Sequence, residues 1–269
     1  MTNHTPNVVV KPVSHEKPVI RVTDLSQKFT MGDETSDILK KVSFEMHPKS
    51  FNIIYGASGS GKSTLLNILT GLQSPTTGSV EVFGNDMYKL GPDKLAYFRA
   101  NEIGIVYQQN YWVKSLNVLE NVAMPLYFSG HTRAEAAKVA RESLEQVGMG
   151  AYEKKHPSML SGGEQQRIAV ARALVNSPKI IIADEPTGSL DSKNGDMVIG
   201  LLRRCQSELG RTIVLVTHNM EYLPYADHLL NIQDGVVTDT MDVNGIRKIA
   251  GELIKGIRDR IDLMSKEKR

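Results

Sequence analysis

Apolar positions along this chain follow different periods in different regions. Over residues 19 to 55 they alternate with polar ones, as in Val42-Ser43-Phe44-Glu45-Met46, which predicts strands with one buried face. Pro75-Thr76-Thr77-Gly78 predicts a turn, and Ser79-Val80-Glu81-Val82-Phe83 another strand. Three runs are nearly continuous: Phe51-Asn52-Ile53-Ile54-Tyr55, Ile180-Ile181-Ile182-Ala183 and Thr212-Ile213-Val214-Leu215-Val216. The last two read as strands buried on both faces, the habit of parallel sheets.

From about 92 to 176 the pattern is chiefly helical. Thr132-Arg133-Ala134-Glu135 is a capping box opening a helix with Ala136, Val139, Ala140, Leu144 and Val147 inward, closing at Gly148. Ser161 and Glu164 form another, starting a helix that runs through Arg172 and stops near Asn176-Ser177-Pro178. At the far end Ile246, Ile249, Leu253, Ile257, Ile261 and Met264 recur at spacings of three and four, which predicts an amphipathic helix. The expected organisation is a flexible leader over 1–17, one domain over 18–238 with a helical subdomain at about 92–176, and a helical extension over 239–269.

The chemistry sits where these patterns change. Gly56-Ala57-Ser58-Gly59-Ser60-Gly61-Lys62-Ser63-Thr64 fits the phosphate-loop pattern and lies between an apolar strand and the helical run Ser63 to Leu69. Glycines let successive N–H groups turn inward at phosphate oxygens. The helix N-terminus adds partial positive charge, Lys62 reaches the β- and γ-phosphates, and the Ser63 hydroxyl is a Mg²⁺ ligand. A nucleoside triphosphate is the expected ligand. Ser161 with Gly162 and Gly163 makes a second anion-binding helix tip.

Together, the phosphate loop and Leu160-Ser161-Gly162-Gly163-Glu164-Gln165-Gln166-Arg167 resemble the ATP-binding subunits of ABC transporters. The resemblance covers roughly residues 19 to 238. It implies an α/β fold, a P-loop NTPase core of the ABC ATPase type with an antiparallel β subdomain and an inserted helical subdomain. It also implies roles. Phe29 stacks on adenine, and residues 56 to 64 hold the phosphates of ATP. Ser63, Gln108 and Asp184 serve Mg²⁺. Glu185 polarises the attacking water, Gln108 reaches both ion and water, and His218 senses the γ-phosphate. Ser161, Gly162, Gly163, Glu164 and Asp191 complete the site of a second copy of the chain. Taken singly, Asp184-Glu185 reads equally as a capped strand exit, while His218 reads sooner as a structural histidine and Phe29 as core. Joint order and spacing decide against those readings.

Within the family the likeness is to the lipoprotein-release and macrolide-export branch, with a cell-division ATPase as relative. Leu119-Glu120-Asn121-Val122-Ala123-Met124-Pro125-Leu126 and Glu164, in place of the commoner glutamine, carry it. The implied function is ATP hydrolysis that drives a separate membrane permease by closure of an ATPase pair, for export or extraction of a lipoprotein, peptide or drug. The alternative is a regulatory ATPase that moves a membrane partner without transport. Trp112, the only tryptophan, departs from the family's leucine-like residues and reads either as part of the permease interface or as a partly buried core residue. Asn219 replaces an aspartate, and Met159 stands where a polar residue is usual.

Composition adds limits. With 269 residues the chain has room for one cassette and a lobe, too little for two. A net charge of +2 gives no call for nucleic acid, and no such partner is expected. One cysteine, Cys205, excludes an internal disulfide and reads as packed in a helix. No apolar run approaches the ~18 residues that span a bilayer, and the N-terminus lacks the apolar core of a signal peptide. The expected location is the cytoplasmic face of the membrane, peripheral through the permease. From Arg247 to Arg269 eight Lys/Arg face four Asp/Glu. Three placements of that basic extension are open: on the chain's own core, on a second subunit or partner, or on an anionic membrane surface.

Overall fold

The computed structural model describes residues 16 to 242 except Asp33, together with 244–246 and 248. The leader expected over 1–17, beyond its last two residues, and most of the basic extension lie outside the described residues.

Two sheets form the body. The first is antiparallel and ordered β2-β1-β4-β5, from β1 (Ile20–Met31), β2 (Glu34–Met46), β4 (Thr77–Val82) and β5 (Asn85–Asp86). Alternation builds it: Val42, Phe44 and Met46 are buried while Ser43 and Glu45 between them are exposed. The second has six strands in the order β10-β9-β3-β8-β7-β6. Its members are β3 (Phe51–Tyr55), β6 (Ile103–Val106), β7 (Ile180–Asp184), β8 (Thr212–Thr217), β9 (His228–Gln233) and β10 (Val236–Asp242). The strands β9, β3, β8, β7 and β6 pair in parallel, and β10 closes the edge antiparallel to β9.

The continuous apolar runs are explained by this sheet's two covered faces. Ile53, Ile181, Ala183, Ile213 and Leu215 join the core beneath the helices, whereas Ile54, Ile180, Ile182, Val214 and Val216 join the core facing the first sheet. Between the sheets runs α1 (Lys62–Leu69), with Leu65, Leu66, Ile68 and Leu69 buried. On the other side lie α3 (Val118–Phe128), α4 (Arg133–Gln146), α5 (Gly162–Leu174) and α6 (Ser192–Ser207). Both expected capping boxes are present, Thr132 with Glu135 and Ser161 with Glu164, and Asn117 with Glu120 makes one more at α3.

Two expectations need revision. The span 92–176 is not helical throughout: after α2 (Pro92–Glu102) the chain enters β6, an edge of the six-stranded sheet, because Ile103 to Val106 pair with Ile180 to Ala183. Asp239–Asp242 belong to β10 rather than to a helical extension, held by pairing with His228 to Asn231. Trp112 is partly buried against the helical core. Of the amphipathic series only Ile246 is described, and it packs into that same core at 2% exposure.

Candidate functional site

The C-terminal ends of β3, β8 and β7 come together because the strands are parallel neighbours in register. Tyr55 pairs with Thr217 and Asp184 with Val216, so the loop from Gly56, the pair Asp184-Glu185, and His218 leave the sheet at one edge. Ligands of open parallel sheets bind at that edge.

The loop from Gly56 wraps the start of α1. Gly61 has φ +99°, and a side chain there would meet the Ile38 carbonyl at 2.9 Å, so the close pass under β2 needs glycine. Gly56 and Ser60 are buried, whereas Ala57, Ser58, Gly59 and Ser63 are exposed and Thr64 is half-buried. Lys62 is 6% exposed, and its Nζ donates to the Gly56 and Ala57 carbonyls at 2.8 and 2.7 Å. The first turn of α1 carries no acid, which leaves its N-terminal partial charge uncompensated.

Opposite the loop, Asp184 is half-buried. Burial raises its carboxyl above the usual range and the charge of Glu185 adds to this, while Lys62 pulls it back. Glu185 adopts φ +41°, and its N–H donates to the Val216 carbonyl at 2.9 Å. This sparsely populated backbone turns its side chain out of the strand line, where Oε1 meets Nδ1 of the exposed His218 at 3.1 Å. Gln108, exposed beyond β6, lies against the 185–188 turn: a side chain on Gly188 would meet its Nε2 at 2.7 Å. A cleft of about 140 Å³ opens between Glu185, Gly188, Leu190, Ser192, His218 and Tyr222. Phe29 stands apart on β1, 49% exposed.

Donor chemistry in this set suits a small hard cation. Adjacent carboxylates, the Ser63 hydroxyl and the Gln108 amide oxygen offer oxygen donors, and Mg²⁺ takes one or two carboxylates plus phosphate oxygens. The raised carboxyl of Asp184 next to a second acid is the arrangement a divalent charge relieves.

The remaining expected residues form a second cluster. Ser161 caps α5: its N–H and hydroxyl both donate to Glu164 Oε2, at 2.8 and 2.9 Å, and its oxygen accepts from the Glu164 N–H at 3.3 Å. Those bonds, with Tyr152, hold the Glu164 carboxyl below its usual range. Asp191 caps α6, accepting from Asn194 N and Nδ2 at 2.9 and 2.7 Å. The two caps touch. A side chain on Gly163 would meet Asn194 Oδ1 at 2.3 Å, and one on Gly162 would meet Leu190 at 3.1 Å. Among the described residues no hydrogen bond joins this cluster to residues 56–64. Sequence reasoning missed Tyr152 and Asn194. Tyr152 reaches Glu164 only through the fold, and Asn194, besides its local bonds to Asp191, meets Gly163 only where α5 packs on α6.

Comparisons with known proteins agree with this geometry. A family model described as ABC transporter matches residues 39–188. The chain is 44% identical over 222 residues to the lipoprotein-releasing system ATP-binding protein LolD of Geobacter metallireducens, covering 82% of this chain and 99% of that protein. It is 42% identical over 221 residues to the macrolide export ATP-binding/permease protein MacB of Agrobacterium fabrum, covering 82% of this chain and 34% of the relative. Among solved structures, a dimeric ATP-binding cassette in a post-hydrolysis state, bound to ADP and Pi, is similar. Its TM-score is 0.77 at 37% identity, with 83% of this chain and 98% of that one covered.

Proposed function

The chain belongs to the ABC transporter family, as an ATP-binding subunit that hydrolyses ATP, and from that premise we propose that it powers a separate membrane permease by ATP-driven closure of a pair of its copies. The cargo in this reading is a substrate such as a lipoprotein, a peptide or a drug, exported or extracted. The observation that carries it is the convergence of Lys62, Asp184, Glu185, His218 and Gln108 at one sheet edge, with an exposed second helix tip at Ser161.

The residues divide the work. Lys62 exchanges the two loop carbonyls for phosphate oxygens, which accept more strongly because they are charged. In this reading backbone N–H groups of the loop and the α1 N-terminus neutralise the rest of the phosphate charge. Ser63, Gln108 and Asp184 would hold Mg²⁺, which would supply neutralisation of phosphate charge. Glu185 orients and polarises the attacking water, and its bond to His218 fixes the rotamer of both. In this reading His218, bonded to Glu185, senses the γ-phosphate. Phe29, exposed on β1, offers its ring to adenine.

Neither anion-binding tip surrounds a triphosphate by itself. In a head-to-tail pair Ser161, Gly162, Gly163, Glu164 and Asp191 of one copy close over the ATP held by Lys62 of the other. ATP is then a ligand of the closed state, and hydrolysis removes the differential contact. The dimeric cassettes among similar structures support the pairing. The LolD relative, named an ATP-binding protein of a releasing system and covered over 99% of its length, supports a permease on another chain. Among the described residues no helix is long and apolar enough to cross a membrane. Tyr111, 70% exposed and stacked edge-on against Tyr107, suits a protein contact at the membrane side. Attachment through that partner sets the chain on the cytoplasmic face.

Lys62→Ala tests the reading. ATP binding weakens and turnover is lost, measured by nucleotide titration and phosphate release; full hydrolysis by this variant overturns the phosphate-loop assignment.

A further inference from the structure

Trp112 is joined to the Ser161 tip by two consecutive hydrogen bonds. Its Nε1 donates to Gln165 Oε1 at 2.8 Å, and Gln165 Nε2 donates to the Leu160 carbonyl at 3.0 Å. An indole N–H only donates and a carbonyl only accepts, so the orientation of the Gln165 amide is fixed by its partners. Leu160 immediately precedes Ser161, whose carbonyl accepts from Gln165 N at 2.9 Å. One side chain therefore holds both the approach to the tip and the loop beyond β6.

Further contacts strap the loop along α5. Arg172 stacks its guanidinium 4.5 Å from the Trp112 ring and donates to the Asn110 carbonyl at 2.7 Å. Gln166 Nε2 donates to the Tyr107 carbonyl at 3.0 Å. On its far side Val113 exchanges bonds with Asn121 of α3, at 2.9 and 3.2 Å. The segment 107–113 thus begins beside Gln108 and the Gly188 turn and ends on the helical lobe. On both sides of Trp112 it presents partly or largely exposed residues, Tyr111 and Val113. Simple packing accounts for a half-buried indole with any acceptor. It does not account for an acceptor whose other end holds the residue before the helix tip.

We propose that Trp112 is a positioning residue: through Gln165 it sets the Leu160 carbonyl, and so the presentation of the Ser161–Glu164 tip to the partner copy's ATP. The inference rests on the paired reading above and adds the residue that links its two faces.

The test uses the full chain carrying Glu185→Gln, measuring Mg-ATP binding per chain and Mg-ATP-driven pairing by sedimentation. Trp112→Phe keeps a ring for Arg172 and removes the N–H donor. Gln165→Glu keeps an acceptor for the indole and removes the donor to Leu160. Each is expected to leave ATP binding unchanged and weaken pairing about two- to tenfold, the scale of one net hydrogen bond. The double variant pairs no worse than Gln165→Glu, because a link broken once cannot be broken again. Pairing equal to the parent's in Trp112→Phe, or losses that multiply in the double variant, overturns the positioning role. If Trp112→Phe does not fold, Gln165→Glu alone decides: undiminished pairing overturns the proposal. A parent that binds Mg-ATP without pairing overturns the paired reading itself, and this inference with it.

Discussion

At the scale of single residues the site is a balance of charges. Folding raises the pKa of Asp184, chiefly by burial and then by Glu185. A carboxyl with a raised folded-state pKa contributes stability below its unfolded value, lost as pH rises through the folded one. At pH above the usual aspartate range the Asp184 carboxyl therefore opposes folding of the ligand-free chain. Asp184→Asn is expected to raise the melting temperature at pH 7 without nucleotide, by an increment that shrinks as pH falls into that range, while abolishing Mg²⁺-dependent nucleotide binding. Calorimetry across pH, with and without Mg-ATP, checks both signs. On the proposed reading Glu185→Gln separates binding from chemistry: it keeps shape and removes the charge proposed to polarise water. Turnover is expected to fall about 10²–10⁴-fold with ATP still bound, read as retained nucleotide beside phosphate release. Normal hydrolysis by this variant with none in His218→Ala reassigns the base to the histidine.

At the scale of elements, helix starts carry much of the design. Thr132 accepts from the Glu135 N–H, and its own N–H and hydroxyl donate to the Glu135 carboxylate. Thr132→Ala is expected to cost about 1 kcal/mol in urea unfolding and to leave ATP binding alone, since α4 lies in the helical lobe. Gly163 is different, because its helix start touches another. Asn194 is pinned by both oxygens of Asp191, so an added methyl at Gly163 must break that cap or move α5. Gly163→Ala is expected to lose about 1–3 kcal/mol through overpacking and to lose ATP-driven pairing while each chain still binds ATP. The capping boxes at 132 and 161 were legible in sequence because a cap is a local exchange of bonds. Contact between the caps at 161 and 191 was not legible, since residues thirty apart meet only through the packing of α5 on α6.

At the scale of the molecule the question is how many chains make one site. With Mg-ATP, Glu185→Gln is expected to sediment as a pair, and without nucleotide as a single chain. A lone chain in both conditions counts against the sandwich. Mixing Lys62→Ala with Ser161→Arg gives hybrid pairs with one doubly damaged site and one intact site. Recovered turnover on mixing means that sites are shared between chains.

Sequence alone marked the phosphate loop, the buried strand that ends in Asp184-Glu185 and the second tip, while His218 and the α/β class came with the family resemblance. The first three are written in runs of neighbouring residues: glycines that permit a tight loop, apolar runs that need cover on both faces, serine and glutamate that close a cap. Tertiary structure decided what those runs meet. Ile103–Val106 became a strand because β7 offers it a parallel edge, and Asp239–Asp242 joined β10 because β9 was there to pair with. Trp112 was ambiguous as a letter, and only the approach of Gln165 and Arg172, more than fifty residues away, gave its indole a partner and a place. Local bonds are encoded by adjacency, whereas the strand edges and the indole link depend on distant segments that come together only once the sheet and helices have packed.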